Sequence, residues 1–211
     1  SQALARQGID LLFVPRTISV FKGEYTCPNF LGLPDLVRQY LPHSIELLSP
    51  VLDGRKSQRA LSRNYWRCAL GFAGLPTVKR AWEEAVQVQR DFDSSAQREL
   101  PASPQKLRIL VLGPRYLTDD PFLNGNLYKQ LEKRGAQVYT VAQVSNQVTL
   151  QVNKGLNKRL FWSEPRRSIG ALEHFMDGLD GVVSIAPFGC GAEWDLCLTS
   201  VLERISWQNW N

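Results

Sequence analysis

The longest apolar runs in this chain are strand-sized, and most lead through a turn into a helix-spaced pattern. Ile9 to Val14 is one such run, set between Gly8 and Pro15, and reads as a buried strand. Ile45 to Leu52 reads as a second. Leu107–Gly113, Ala136–Val141 and Gly181–Ala186 read as three more in the second half. Between them, apolar residues recur at helical spacing. Pro34 opens a helix over Asp35–Leu41, as a proline in the first turn does. Ser57–Phe72 forms the next, with Leu61, Tyr65, Cys68 and Phe72 on one core stripe. Gly74-Leu75-Pro76 breaks it, and Thr77 starts another that runs through Trp82, Val86 and Phe92 to about Leu100. Further helices are predicted over Phe122–Arg134, Gln147–Trp162, Pro165–Met176 and from the Cys190 turn to about Trp207. Asp119 and Asp120 supply capping chemistry for the first of these, and Gly135 stops it.

Alternating strands and helices predict parallel sheets with right-handed crossovers. The expected fold class is α/β, with two flavodoxin-like or Rossmann-like lobes of mostly parallel sheet, 1–100 and 106–211. A helical hairpin and the linker Pro101–Gln105 join them. The first half offers only two strands, and Ser1–Gly8 reads as the tail of a helix. The first lobe is therefore expected to be incomplete and the chain to be cut from something longer.

Composition changes this picture little. The chain has 211 residues, 44% of them hydrophobic and 21% charged, which is ample for a core. The net charge of +5 suits a polyanionic ligand such as a nucleotide or a coenzyme A moiety. Its basic residues are scattered, with short clusters at Arg55-Lys56, Lys158-Arg159 and Arg166-Arg167, and nucleic-acid signatures are absent. No signal peptide or membrane span is present, so the cytoplasm is the expected compartment, with reduced thiols.

Two of the four cysteines carry the candidate chemistry. Phe188-Gly189-Cys190-Gly191 lies between the last strand and the last helix, at the sheet edge where open α/β folds bind ligands. A thiol there sits near a helix N-terminus, whose dipole favours the thiolate. Cys27 lies in a Gly- and Pro-rich loop from Arg16 to Pro34, also beyond the carboxyl end of a strand. Loops of that length are functional or disordered, and Tyr25, Phe30 and Leu33 favour function. If the lobes face each other, both thiols enter a shared cleft. Thiolates select zinc, copper or iron–sulfur clusters, and the absence of a CxxC pair argues against a zinc knuckle. The competing reading makes both cysteines small packing residues. Cys68 and Cys197 are expected in the core. His43 and His174 lack metal-ligand spacing, and no GxSxG, GxGxxG or P-loop pattern occurs.

Phe13–Arg16 with Val20–Asp35, Asp120–Asn124 with Asn126-Leu127, Leu160–Trp162 and Phe188–Gly191 occur in this order. Together they resemble the 2-hydroxyacyl-CoA dehydratase-related family, in particular its acyl-CoA dehydratase activase-related proteins, formerly a domain of unknown function. The resemblance spans nearly the whole chain, and the Cys27 stretch is its most specific part. It implies flavodoxin-like lobes around an oxygen-sensitive iron–sulfur cluster, of the four-iron type, with Cys27 and Cys190 as ligands. Arg16, Lys22 and Arg115 would then stabilise the cluster's negative charge, and Glu24 would supply an oxygen ligand or a contact behind one. The implied activities are low-potential electron transfer or dehydration of a 2-hydroxyacyl thioester, a lyase reaction. An ATP-dependent activator or a dehydratase subunit is the implied partner, an acyl-CoA the implied ligand, and a homodimer a compatible assembly.

The chain also departs from that family. An upstream cysteine-bearing segment and a downstream strand of the family are expected to be missing. Gly113-Pro114-Arg115-Tyr116 replaces a usual Gly-His-Pro-Tyr, and Ala192-Glu193-Trp194 a usual Pro-Asp-Ser. These departures favour a second reading, a cluster-free α/β binding or scaffold module derived from the same family.

Overall fold

In the computed structural model the described residues are 2–97, 99–100, 106–151 and 162–187. The chain divides into two compact units, Ser1–Gln87 with Phe161–Ser163, and Val88–Leu160 with Glu164–Asn211. Among the described residues all sheet pairing is parallel, as the strand–helix alternation requires, and the fold is α/β.

The first unit begins with a short helix, α1 (Gln2–Ala5), and is built on a parallel ribbon interrupted by prolines. β1 (Leu11–Phe13) pairs with β3 (Glu46–Leu48), and β2 (Arg16–Ser19) pairs with β4 (Val51–Asp53). Pro15 and Pro50 lie in the two breaks, where a missing N–H removes a rung of the ladder. Bonding continues across them, from Val14 N–H to the Leu48 carbonyl at 2.9 Å and from Arg16 N–H to the Pro50 carbonyl at 2.9 Å. Pro15 does bound the first strand, as expected, but pairing resumes just beyond it. Arg16–Ser19 is a strand and not the start of the long loop, because a proline at a strand edge costs a single donor.

The loop is also shorter at its far end. α2 runs over Pro28–Tyr40, with Cys27 at its N-cap, so Pro28 and not Pro34 is the proline of the first turn. Pro34 lies buried inside the helix, which packs on β2. That packing holds the helix through a residue that would otherwise break it. α3 (Gln58–Ala69) starts where expected, its Ser57 side chain accepting from Ala60 N–H at 3.1 Å. α4 (Leu75–Ala96) begins two residues before Thr77 and ends short of Leu100. Tyr65 of α3 and Trp82 of α4 tilt against each other with ring centroids 5.7 Å apart. Leu61 is buried and Cys68 half-buried, whereas Phe72 is 64% exposed. Phe72 leaves the predicted stripe because the helix ends at Ala69 and the spacing no longer applies.

The second unit has a three-stranded sheet in the order β6–β5–β7. These are Ala136–Thr140, Leu107–Leu112 and Gly181–Ser184. Leu110 and Leu112 of central β5 join Tyr139, Val141, Ile169, Leu172 and Phe175 in one core cluster. A short helix α5 (Arg115–Thr118) follows β5, one that hydrophobic spacing had not revealed. Asp120 Oδ1 does accept from Phe122 and Leu123 N–H, at 2.8 and 3.2 Å. It caps a turn, however, and the helix α6 itself spans only Leu127–Lys133. α7 (Asn146–Gln151) begins as expected, and residues 152–161 lie outside the described residues. α8 (Ser163–Phe175) buries most of its central turns. Gly170 makes that possible, since a Cβ there would stand 2.5 Å from the Cα of Thr149 in α7. The predicted Cys190 turn and final helix lie within 188–211, also outside the described residues.

Two glycine substitutions in helices should therefore have opposite signs. Gly170→Ala is expected to destabilise the chain by about 1–3 kcal/mol, through overpacking. At Gly32 of α2 an added Cβ meets nothing within 4 Å, so Gly32→Ala should stabilise by up to about 1 kcal/mol. Urea denaturation of both variants checks the pair, and shifts of the same sign would contradict the packing described.

Candidate functional site

The carboxyl ends of β2 and β4 lie side by side, and the loop between β2 and α2 rises from them. Gly54 N–H donates to the Ser19 carbonyl at 2.8 Å, extending the pairing by one rung. A Cβ on Gly54 would stand 2.7 Å from the Val20 carbonyl oxygen, so this approach of two backbones needs glycine. Ser19, fully buried, donates its hydroxyl to the Phe21 carbonyl at 2.6 Å and turns the chain out of the strand. The loop then returns. Thr26 N–H donates to the Ile18 carbonyl at 3.0 Å, and the Thr26 hydroxyl donates to the Thr17 carbonyl. Residues 20–25 therefore form a short excursion whose two ends are tied to one strand.

Glu24 sits inside this excursion with its side chain fully buried, while Lys22 is exposed. Tyr25 reaches the other way. It forms a parallel bridge to Trp162, and its carbonyl accepts from the Ser163 backbone N–H and hydroxyl, both at 2.9 Å. Arg55 lies over the Tyr25 ring at 5.6 Å from the centroid. The same guanidinium grips Asp53 with contacts of 2.6 to 3.0 Å. Asp53 holds the Arg55 pKa above its usual value, with a smaller contribution from Tyr25. Cys27 follows as the N-cap of α2, half-buried, free of any disulfide, and its carbonyl accepts from Phe30 and Leu31 N–H.

Arg16 was expected in this loop; it stands instead on β2 and makes a two-pronged ion pair with Asp35 of α2, at 2.7 and 2.8 Å. Its Nη1 also donates to the Leu31 carbonyl at 2.6 Å. The guanidinium thus fastens the helix that begins at Cys27 to the strand beneath it. Arg16, Lys22, Glu24 and Cys27 are all drawn from one stretch of the first unit. Arg115 belongs to the second unit, where its Nε donates to Asp119 at 3.1 Å and its guanidinium lies 5.8 Å from the Phe92 ring centroid. Cys190 lies outside the described residues, so the shared cleft of Cys27 and Cys190 is not described by the structure. Among the described residues no three His, Cys, Asp or Glu side chains gather as a metal site. His43 and His174 are exposed, and no described helix is long and apolar enough to cross a membrane.

Sequence reasoning missed Asp35, Asp53 and Arg55 as parts of this site, and took Tyr25 only as a sign that the loop is functional. The available signal was Asp53-Gly54-Arg55 directly after a strand, a pattern that places charge at the sheet's carboxyl edge.

The two ion pairs make stability depend on pH in a defined direction. Arg16 holds the Asp35 carboxyl below its usual range, and Arg55 does the same to Asp53. A depressed folded pKa gives stability that is present above the ordinary value of about 4 and is lost as pH falls through the depressed value. Asp35→Asn should therefore lie below the parent chain in urea denaturation by a constant margin at neutral pH. That margin should close in acid, below about pH 4. A margin that widened in acid would contradict the pairing.

No curated protein and no solved structure matches the chain. A family model does match residues 1–144, which include β1 to β4, the Cys27 loop, α3 and α4, and strands β5 and β6 of the three-stranded sheet. That model describes the CoA enzyme activase uncharacterised domain (DUF2229), and the chain belongs to that family.

Proposed function

We propose that this domain is an iron–sulfur component of a CoA-enzyme system, with Cys27 as one cluster ligand. One observation carries the reading. Cys27 is a free, half-buried thiol at the end of a loop tied back to its own strand, directly before α2. The residues present fit a cluster as far as one ligand goes. A thiol is the donor such clusters take, and charge on a metal-bound sulfur would meet the positive end of the α2 dipole. Cys190 is the second proposed ligand, and the remaining ones would come from beyond these two residues. When bound, the cluster would supply one-electron chemistry at low potential. The chain's own residues would hold and tune it: Lys22 with an exposed positive charge on the same loop, Glu24 as a buried carboxylate within that loop. Arg16 would act indirectly by fixing α2 through Asp35. The system's other parts would be an ATP-dependent activator and a dehydratase that removes water from a 2-hydroxyacyl thioester.

A second reading, a cluster-free binding or scaffold module, is favoured by one observation. Arg16 and Arg115, both assigned above to the cluster's charge, are already engaged by Asp35 and Asp119.

Anaerobic reconstitution of the full chain with iron and sulfide separates the two. The cluster reading predicts a brown protein with stoichiometric iron and acid-labile sulfide. Cys27→Ser should lose both, and Cys68→Ser, altered in the helical hairpin, should keep them. Equal iron in the parent chain and Cys27→Ser, or a colourless parent chain, would overturn the cluster assignment.

A further inference from the structure

We infer that the exposed face of α3 is a docking surface for a partner protein, one that presents a row of carboxylates to Arg59, Arg63 and Arg67. The inference needs no metal and stands whether or not a cluster is bound. The three arginines follow one another at four-residue spacing, so each lies about 6 Å beyond the last along one side of the helix. All three are exposed. The opposite side of α3 is spent on the fold, with Leu61 buried and Tyr65 set against Trp82, and the helix packs on β4.

Uncompensated charge sets this face apart. α3 contains no acidic residue. Like charges at i,i+4 weaken a helix by a few tenths of a kcal/mol per pair, roughly what an opposite pair would add. The neighbouring α4 shows the usual arrangement, with Lys79 beside Glu83 and Arg80 beside Glu84. Elsewhere Arg16, Arg55, Arg108 and Arg115 each hold an aspartate. Among the described residues, Arg59, Arg63 and Arg67 form no salt bridge. Folding thus leaves the row's charge without an acidic counterpart within the described part of the chain.

The row's shape decides the class of partner. A helix with Asp or Glu every fourth residue repeats at the same spacing of about 6 Å, so each guanidinium can take one carboxylate in a two-pronged contact. A nucleic acid calls for a broad basic surface that follows its phosphates, whereas this row is one residue wide and flanked by Ser62 and Asn64. A membrane surface would want a continuous exposed apolar face beside the basic residues; here the half-buried Trp66 lies beside the row, and the exposed Leu70 and Phe72 come only beyond its last arginine.

The test uses the full chain and a fluorescent alanine-based helical peptide with three glutamates at four-residue spacing. Its controls are the same peptide with glutamines, a single-stranded oligonucleotide and phosphatidylserine vesicles. Binding of the glutamate peptide should exceed that of the glutamine peptide and fall with added salt. The triple variant R59Q/R63Q/R67Q should weaken it about tenfold, as loss of three exposed ion pairs implies. K79Q/R80Q/R90Q removes the same charge elsewhere and should change it by less than about twofold. Urea denaturation checks that both variants fold; should the triple variant unfold, single Arg63→Gln should still weaken binding about twofold. Equal weakening by the two triple variants, no preference for glutamate over glutamine, or tighter binding of the oligonucleotide or vesicles would each overturn the proposal.

Discussion

The first unit depends on a parallel pairing that survives two prolines. Pro15 and Pro50 each remove a donor from the ribbon, yet the N–H groups of Val14 and Arg16 keep bonding across the gaps. Because the pairing continues, Ser19 and Asp53 end up level, and Gly54 can press against the Val20 carbonyl. Had the ribbon ended at Pro15, the loop would leave from Arg16 with nothing beneath it. Instead it leaves from Ser19, and Thr26 can return to the carbonyls of Thr17 and Ile18. The position of Cys27 follows directly, since one residue separates that anchor from the first turn of α2.

Charge then fixes what the backbone bonds outline. Arg16 joins strand to helix through Asp35, and Arg55 joins the end of β4 to the Tyr25 ring. Exposed ion pairs contribute little stability on average, but two-pronged geometry sets direction. Here it sets the direction of α2 and of the loop's outer residue. The arginines of α3 belong to a different category, because nothing in their own unit answers them among the described residues. The same residue type thus serves internal fastening in one place and outward display in another, and the neighbouring acids decide which.

Much of the α/β character was legible because strand runs and helical stripes are physically different periods. Leu107–Leu112, Ala136–Thr140 and Gly181–Ser184 fall within a residue or two of the expected limits. The failures have particular causes. Arg16 onward was read as loop because Pro15 ends β1, yet pairing resumes beyond it; Pro34 was read as a helix start, but packing on β2 holds it inside a helix. α5 is too short for periodicity, and the turn at Pro121–Asn126 uses helix-cap chemistry without a helix behind it. The site was partly legible: Cys27, Lys22 and Glu24 stand in one short stretch. Asp35 and Asp53 were not, because their role comes from pairing across elements far apart in sequence. The family resemblance pointed to activase-related proteins, and the family match agrees at that level.

The central claim is that the chain itself, without a ligand, holds the Cys27 loop in place. Amide hydrogen exchange at Thr26 tests it most directly. Its N–H is bonded to Ile18 at 3.0 Å, whereas Lys22 is exposed at the crest of the same loop. The prediction is slow exchange at Thr26, comparable with the strand amide of Arg16, beside fast exchange at Lys22. Exchange at Thr26 as fast as at Lys22 would mean that the loop is not anchored, and Cys27 would lose the fixed position on which its proposed role rests.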